Sequence, residues 1–244
     1  MNTIITIEAR MRSTRLPGKV LQPILGRPML ARMIERLRRV RLAHGIVVAT
    51  TDQAIDNEIA ALAARLGVGC HRGSESDVLA RVLDAARSAD ADLIVETTAD
   101  CPLIDPLVID QLIQTFHSNR VDYCANVLTA TYPRGLDAQV FPTRVLAEVA
   151  RLTNDPADRE HVSLYIYEHP ERYRLLNVAS GLPSEQSDLR LTVDTAEDFA
   201  LIARIYGELY PGNPAFGLAD ILALVDREPS LRSMNQNIRQ KAVR

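Results

Sequence analysis

Leu93-Ile94-Val95-Glu96-Thr97-Thr98-Ala99-Asp100-Cys101-Pro102-Leu103-Ile104-Asp105-Pro106 decides the architecture. Its opening is a short apolar, β-branched run of strand length. Asp105 is a favoured helix N-cap, and Pro106 suits the first helical position ahead of residues 107–116. Outward in both directions the same alternation continues. Strands read at 4–7, 45–50 and 68–71, and helices at 28–40, 53–66 and 77–87. Further strands read at 121–127, 138–141, 173–178 and 189–193, with helices at 142–152, 159–168, 196–209 and 218–225. Such alternation predicts an α/β fold: a mixed, mostly parallel sheet with helices on both faces. No low-complexity linker divides the chain, so residues 1–244 are expected to form one domain with a small inserted arm or lid at about 121–188, for substrate or dimer contacts.

The chain has 244 residues, 47% of them apolar and 24% charged, which excludes disordered, collagen-like and coiled-coil classes. No apolar run approaches the length of a spanning helix, and Glu8 and Arg10 break the opening stretch too early for a signal peptide. Cys70, Cys101 and Cys124 are widely spaced and form no C-x-x-C pair. Reduced thiols and a cytoplasmic location are therefore expected. The net charge of −3 gives no reason to expect nucleic acid or an anionic membrane. It conceals ten Lys/Arg against Glu8 and Glu35 in residues 1–41, a local +8 that leaves −11 on the rest. A small polyanion near the N-terminus is expected.

In open α/β sheets ligands bind beyond the carboxyl ends of the strands. Directly after the first strand comes Ala9-Arg10-Met11-Arg12-Ser13-Thr14-Arg15-Leu16-Pro17-Gly18-Lys19, whose cations, hydroxyls and glycine suit a polyphosphate, although the Walker spacing is absent. The arginines that follow, Arg32, Arg36, Arg38 and Arg39, read as a solvated helix face. Asp105 has a sufficient role as a cap, whereas Asp100 has no local duty. Thr195 and Asp198 read as a capping box, which leaves Asp194 at a strand end. Two strand-end aspartates, Asp100 and Asp194, make a candidate divalent-metal pair. Arg72-Gly73-Ser74-Glu75-Ser76-Asp77 opens a helix and could read a base or ribose, or hold a plain N-cap by Ser76. Gly67-x-Gly69-x-x-x-Gly73 misses the dinucleotide spacing, and Asp90-x-Asp92 precedes its strand, at the wrong edge for a glycosyltransferase metal motif. His44, His71, His117 and His169 read as surface or packing residues. His161, in Asp158-Arg159-Glu160-His161-Val162, is kept as a site candidate. Hydrolase motifs are absent.

Ala9-Arg10-Met11-x-Ser13-Thr14-Arg15-Leu16-Pro17-Gly18-Lys19, Ala99-Asp100-Cys101-Pro102-Leu103-Ile104 and Val193-Asp194-Thr195-x-Glu197-Asp198 together resemble the signatures of the sugar-acid cytidylyltransferases, which include the CMP-Kdo and CMP-acylneuraminate synthetases. Arg72-Gly73-Ser74-Glu75-x-Asp77-Val78-Leu79, Gly135-Leu136-Asp137-x-x-Val140-Phe141 and Arg159-Glu160-His161-Val162 are similar to the spore coat polysaccharide biosynthesis protein F group. The resemblance runs along nearly the whole chain.

It implies the Rossmann-like fold of the nucleotide-diphospho-sugar transferases and a reaction in which CTP and a sugar acid give a CMP-sugar and pyrophosphate. It also implies a role in surface polysaccharide or glycoconjugate biosynthesis, a Mg²⁺ cofactor and a homodimer. By the same resemblance Arg10, Ser13, Arg15 and Lys19 hold the phosphates, and Asp100, with Thr98 beside it, and Asp194 hold the metal. Thr51, Asp52, Arg72 and Ser74 face base and ribose; Asp137, Gln139, Glu160 and His161 lie nearer the sugar. The G-T-D-R-type segment of CMP-Kdo synthetases is absent, and Cys101 stands where their acidic residue lies. Other readings are transfer of a uridylyl or guanylyl group, or a non-catalytic nucleotide- or sugar-binding protein.

Overall fold

Side chains alternate across a strand, so Thr3–Glu8 (β1) sends Ile5 and Ile7 to one face of the sheet and Ile4 to the other. Both sets are buried, which makes β1 a central strand covered on both sides. In this computed structural model, which describes residues 1–239, β1 pairs in parallel with Gly45–Thr51 (β4) and with Leu93–Thr98 (β6). β4 in turn pairs in parallel with Gly69–Gly73 (β5). Beyond β6 the sheet continues through Tyr123–Ala125 (β7), Gln139–Pro142 (β8) and Leu175–Asn177 (β9), in the order β5-β4-β1-β6-β8-β7-β9. β8 runs antiparallel to both neighbours, so the sheet is mixed and mostly parallel, as the alternation predicts. Pro23–Ile24 (β2) and Arg27–Pro28 (β3) form a separate small hairpin.

Met29–Leu37 (α1), Asn57–Leu66 (α2), Pro106–Ser118 (α4), Ala196–Leu209 (α9) and Leu218–Arg227 (α10) pack in the core with Ile5 and Ile7. Val78–Arg87 (α3), Thr143–Leu152 (α5) and Leu164–Glu168 (α7) pack with Ile4 and Ile94 on the other face. Short helices Pro156–Glu160 (α6), Ser184–Ser187 (α8) and Ser230–Ser233 (α11) complete the chain. Asp105 caps α4 by accepting from the Leu107 amide, and Thr195 and Asp198 form the expected capping box of α9. Among the described residues no helix is long and apolar enough to cross a membrane.

Several expectations are corrected. Residues 189–193 alternate like a strand but do not join the sheet. The Arg134 amide donates to the Leu189 carbonyl (3.0 Å) and the Leu191 amide to the Arg134 carbonyl (2.7 Å), forming an isolated bridge, while the Val193 amide donates to the Asp100 carbonyl (2.8 Å). Loop partners thus satisfy a backbone that the sequence would have assigned to a ladder. The helix expected at 159–168 is broken between α6 and α7, where Val162 has a φ of 27°. Asp77, not Ser76, caps α3, accepting from the Ala80 amide at 2.9 Å.

Arg32 and Arg36 are not solvated, being 4% and 2% exposed. Arg36 donates to the carbonyls of Ile104 (2.8 Å) and Phe216 (2.9 Å) and lies 4.5 Å over the Phe216 ring. Arg32 donates to the Ile24 and Leu25 carbonyls and lies 4.2 Å over Tyr210. Guanidinium groups with planar, multiply donating forks fit such sites, and helical periodicity alone does not reveal them.

The bridge at 134–135 requires glycine. Gly135 has a φ of 106°, and a Cβ there would stand 2.6–2.9 Å from the backbone of Leu191 and Thr192. Gly135→Ala is expected to cost on the order of 3 kcal/mol through strain and overpacking. An unchanged denaturation midpoint would refute this.

Candidate nucleotide-transfer site

The carboxyl ends of β5, β4, β1 and β6 lie side by side, and each is followed by a predicted site segment. After β1, residues 9–19 are drawn into a defined loop by their backbone. Ala9 donates to the Ala49 carbonyl (3.2 Å), Gly18 to the Met11 carbonyl (2.9 Å), and Leu16 to Ser13 Oγ (3.3 Å). Gly18 takes a left-handed φ of 72° before the single turn that carries Lys19. The Met11 amide donates to buried Asp56, which also accepts from the Thr51 hydroxyl. Asp56 therefore anchors the basic loop to the end of β4, a role that its sequence neighbourhood did not signal.

Lys19 is the centre of the arrangement. Only 9% exposed, its Nζ donates to Asp194 Oδ1 (2.9 Å) and the Val193 carbonyl (2.5 Å) and lies 3.8 Å from Asp100 Oδ2. Arg15 and Arg190 reach the second oxygen of Asp194 at 2.9 and 2.7 Å. Burial alone would raise the Asp194 pKa, but Lys19, with Arg190 and Arg15, holds it below the ordinary aspartate value. Asp100 Oδ1 accepts from the Thr98 hydroxyl at 2.5 Å and stands 3.7 Å from Cys101 Sγ, whose own pKa is pushed well up by burial and by Asp100. The residues predicted for phosphate and metal, Arg15, Lys19, Thr98, Asp100 and Asp194, are thus brought together.

Two flanks border this centre. On one, Arg12 pairs with Glu75 (3.1 Å), Arg159 with Asp77 (3.2 Å) and Arg10 with Glu160 (4.0 Å), around a cavity of 550 Å³. His161 follows Glu160 as the C-cap of α6. Thr51 is fully buried with its hydroxyl on Asp56, and Arg72 donates to the Thr51 and Gln53 carbonyls and to Asn57 Oδ1. Both brace the end of β4. Asp52 is exposed, and Ser74 Oγ accepts from the Asp77 amide. On the other flank, Asp137 shares a 350 Å³ pocket with Asn126, Tyr132, Arg134 and Arg190. Burial raises the Asp137 pKa, opposed by Arg134. Gln139 pairs across β8 with Glu96 and Ala125.

An acidic pair under the site, Glu96 buried and Glu8 half-buried, was not anticipated. Thr6 pairs with Glu96 and Glu8 with Thr98 in the β1–β6 register, so Glu8 and Glu96 share one face, and their carboxyls lie against each other. Two glutamates at same-face positions of adjacent parallel strands were the available signal. Burial pushes Glu8 to about 7, with Arg81 opposing, and burial and Glu8 together push Glu96 well up.

The geometry is that of an α/β protein that gathers cations and carboxylates at the carboxyl edge of its sheet. A family model described as cytidylyltransferase matches residues 4–221, and the chain belongs to the cytidylyltransferase family, hence to the nucleotidyltransferases. It is 32% identical over 235 residues to the spore coat polysaccharide biosynthesis protein SpsF of Bacillus subtilis, covering 94% of this chain and 96% of that one. A solved cytidylyltransferase of Leptospira borgpetersenii superposes with a TM-score of 0.89 at 33% identity, covering 98% of this chain and all of that one, at 100%. A CMP-2-keto-3-deoxy-manno-octonic acid synthetase complexed with CTP shares the fold, with a TM-score of 0.63, 20% identity and coverage of 85% and 99%.

Since the folded state raises the Glu8 pKa, the folded protein holds that proton more tightly than the unfolded chain. The resulting stability is fully present below the ordinary value of 4.5 and is lost as pH rises to about 7. Melting temperatures across that window should fall less steeply in Glu8→Gln than in the wild type. Parallel curves would show that Glu8 is not the titrating group.

Proposed function

We propose that this cytidylyltransferase moves CMP from CTP to a hydroxyl of an acidic sugar and releases pyrophosphate, in the building of a surface polysaccharide or glycoconjugate. The observation that carries this reading is the Lys19 ammonium lying between Asp194 and Asp100 with Arg15 alongside. The nucleotide in the complex of the manno-octonic acid synthetase and the name of the Bacillus relative support it.

In this reading Arg10, Arg15 and Lys19 hold the β- and γ-phosphates, with Ser13 shaping the loop. Phosphate oxygens replace carboxylates that now occupy those cations: Glu160 on Arg10 and Asp194 on Arg15 and Lys19. The acceptor hydroxyl attacks the α-phosphorus, and the protein's work is positioning and neutralisation of charge. Asp100 and Asp194 offer hard oxygen donors on either side of one cation, a set that fits Mg²⁺ shared with a triphosphate. No third His, Cys, Asp or Glu completes a metal cluster among the described residues, so phosphate and water would fill the remaining positions. The chemistry that Mg²⁺ supplies when bound is neutralisation of phosphate charge and a lowered pKa of the attacking hydroxyl. Asp52, Arg72 and Ser74 line the base and ribose side, with Thr51 beneath them. The sugar spans the centre, bordered by Asp137 and Gln139 on one flank and by Glu160 and His161 on the other. A homodimer is part of the same reading, to be checked by light scattering.

A matrix of four NTPs against a panel of sugar acids, read by pyrophosphate release, tests the reaction. CTP is the expected donor. Preference for UTP or GTP, or nucleotide binding without turnover, would replace this reading with another nucleotidyl transfer or with a binding protein. Asp100→Asn and Asp194→Asn should each lower turnover on the order of 10²-fold. Wild-type rates in either would remove that residue from the mechanism.

A further inference from the structure

Beyond the residues matched by the family model, which end at 221, the chain makes one more pass over the site. After α11 it turns at Asn235, a residue only 6% exposed although its neighbours Met234 and Gln236 are exposed. The Asn235 side-chain amide donates to the Arg190 carbonyl (3.0 Å) and to Asp198 Oδ1 (2.8 Å). Asp198 is fully buried and accepts from both the Nε (3.0 Å) and Nη2 (3.1 Å) of Arg190, and from the backbone amides of Asp194 (3.0 Å) and Thr195 (3.2 Å). Arg190 Nη2 then reaches Asp194 Oδ2 at 2.7 Å. The turn closes with the Ile238 amide on the Asn235 carbonyl (3.0 Å), which brings Ile238 to the wall of the pocket that holds Arg134 and Asp137.

Capping explains why Asp198 contacts Thr195. It does not explain a buried amide brought in from the C-terminal turn. Asp198 touches Asp194 through its backbone and, by way of Arg190, through its carboxylate. Whatever holds Asp198 and Arg190 in place therefore sets the position of both ends of Asp194. Among the described residues, Asn235 touches both Asp198 and Arg190 from outside the 190–198 segment.

We infer that Asn235 is a positioning residue: it fixes Arg190 and Asp198, and through them the Asp194 carboxylate, in the geometry that nucleotide and cation need. The inference rests on the proposed cytidylyl transfer and extends the site to a segment outside the family-defining residues.

The test is CTP binding by the full chain, titrated against Mg²⁺ by calorimetry, in the wild type, Asn235→Ala, Asp194→Asn and the double variant. Asn235→Ala is expected to raise the Mg²⁺ concentration for half-maximal CTP binding about tenfold, and to add nothing in the Asp194→Asn background, because coupled residues are non-additive. Asn235→Asp keeps the shape while turning an acceptor toward Asp198; it should act in the same direction, and it serves if the alanine variant does not fold. Gln236→Ala, on the exposed side of the turn, controls for disturbance of the tail and should match the wild type. Wild-type Mg²⁺ dependence in Asn235→Ala would overturn the inference. An equal loss with and without Asp194 would make Asn235 a structural cap and overturn it too. A wild type that binds no CTP would instead overturn the cytidylyl reading, a result distinct from variants that bind normally.

Discussion

A buried ammonium must find its charge partner, and Lys19 finds it across 175 residues of sequence, at Asp194. The rest of the site follows from that pairing. A covered ion is tolerated only when it is paired and hydrogen-bonded. Lys19 meets the requirement with the Asp194 carboxylate and the Val193 carbonyl, and Asp100 stands near. The loop after β1 and the segment before α9 are therefore closed onto each other whenever the protein is folded. Arg15 and Arg190 converge on the same carboxylate, and Asp56 secures the loop's other end. The folded chain itself thus holds these cations in position, so that in the proposed reading little ordering remains for a phosphate to impose.

Much of this was legible in the sequence. The run from Leu93 to Pro106 gave a strand, a loop and a capped helix in the right places because each uses local chemistry: β-branched residues, an Asx cap and a proline. The capping box at Thr195 was legible for the same reason, and it left Asp194 without a capping duty; the structure pairs it with Lys19. What local chemistry does not encode is a partner far away. Residues 189–193 carry a strand's alternation, yet their hydrogen bonds go to Arg134 and Asp100, and nothing near Leu191 announces that Gly135 will approach its backbone. Arg32 and Arg36 have the charge of a solvated face and the surroundings of a core because carbonyls at Ile24, Ile104 and Phe216 await their donors. Thr51 and Arg72 stand at strand ends, and no local pattern announces that their polar groups also brace β4 through Asp56 and the Thr51 and Gln53 carbonyls. Glu8 and Glu96 required the strand register, a non-local fact, to be seen as a pair.

The N-terminal excess of positive charge thus divides by depth. Arg32 and Arg36 are internal struts. Arg10, Arg12, Arg15 and Lys19 face carboxylates from Glu160, Glu75 and Asp194, supplied by α6, by the loop after β5 and by the segment before α9. The two outer pairs, on Arg10 and Arg12, are exposed and weak, whereas those on Asp194 are covered. Salt will loosen the rim before it loosens the centre.

The antiparallel strand β8 has a consequence for how this protein can diversify. Because β7 and β8 pair as antiparallel neighbours, the connection between them returns at the carboxyl edge without a crossover helix, and residues 127–134 supply much of the pocket that holds Asp137. Buried Asn126 ties the base of that excursion, accepting from the Ala138 amide and donating to the Leu136 carbonyl. A loop closed by such a clasp can change in length at small entropic expense, since doubling it costs only about 0.6 kcal/mol. In the reading proposed above, the acceptor side is an exchangeable cassette on the fixed Lys19–Asp194 frame. A change within residues 127–134 reshapes the pocket around Asp137 and leaves the Lys19–Asp194 pairing as it is.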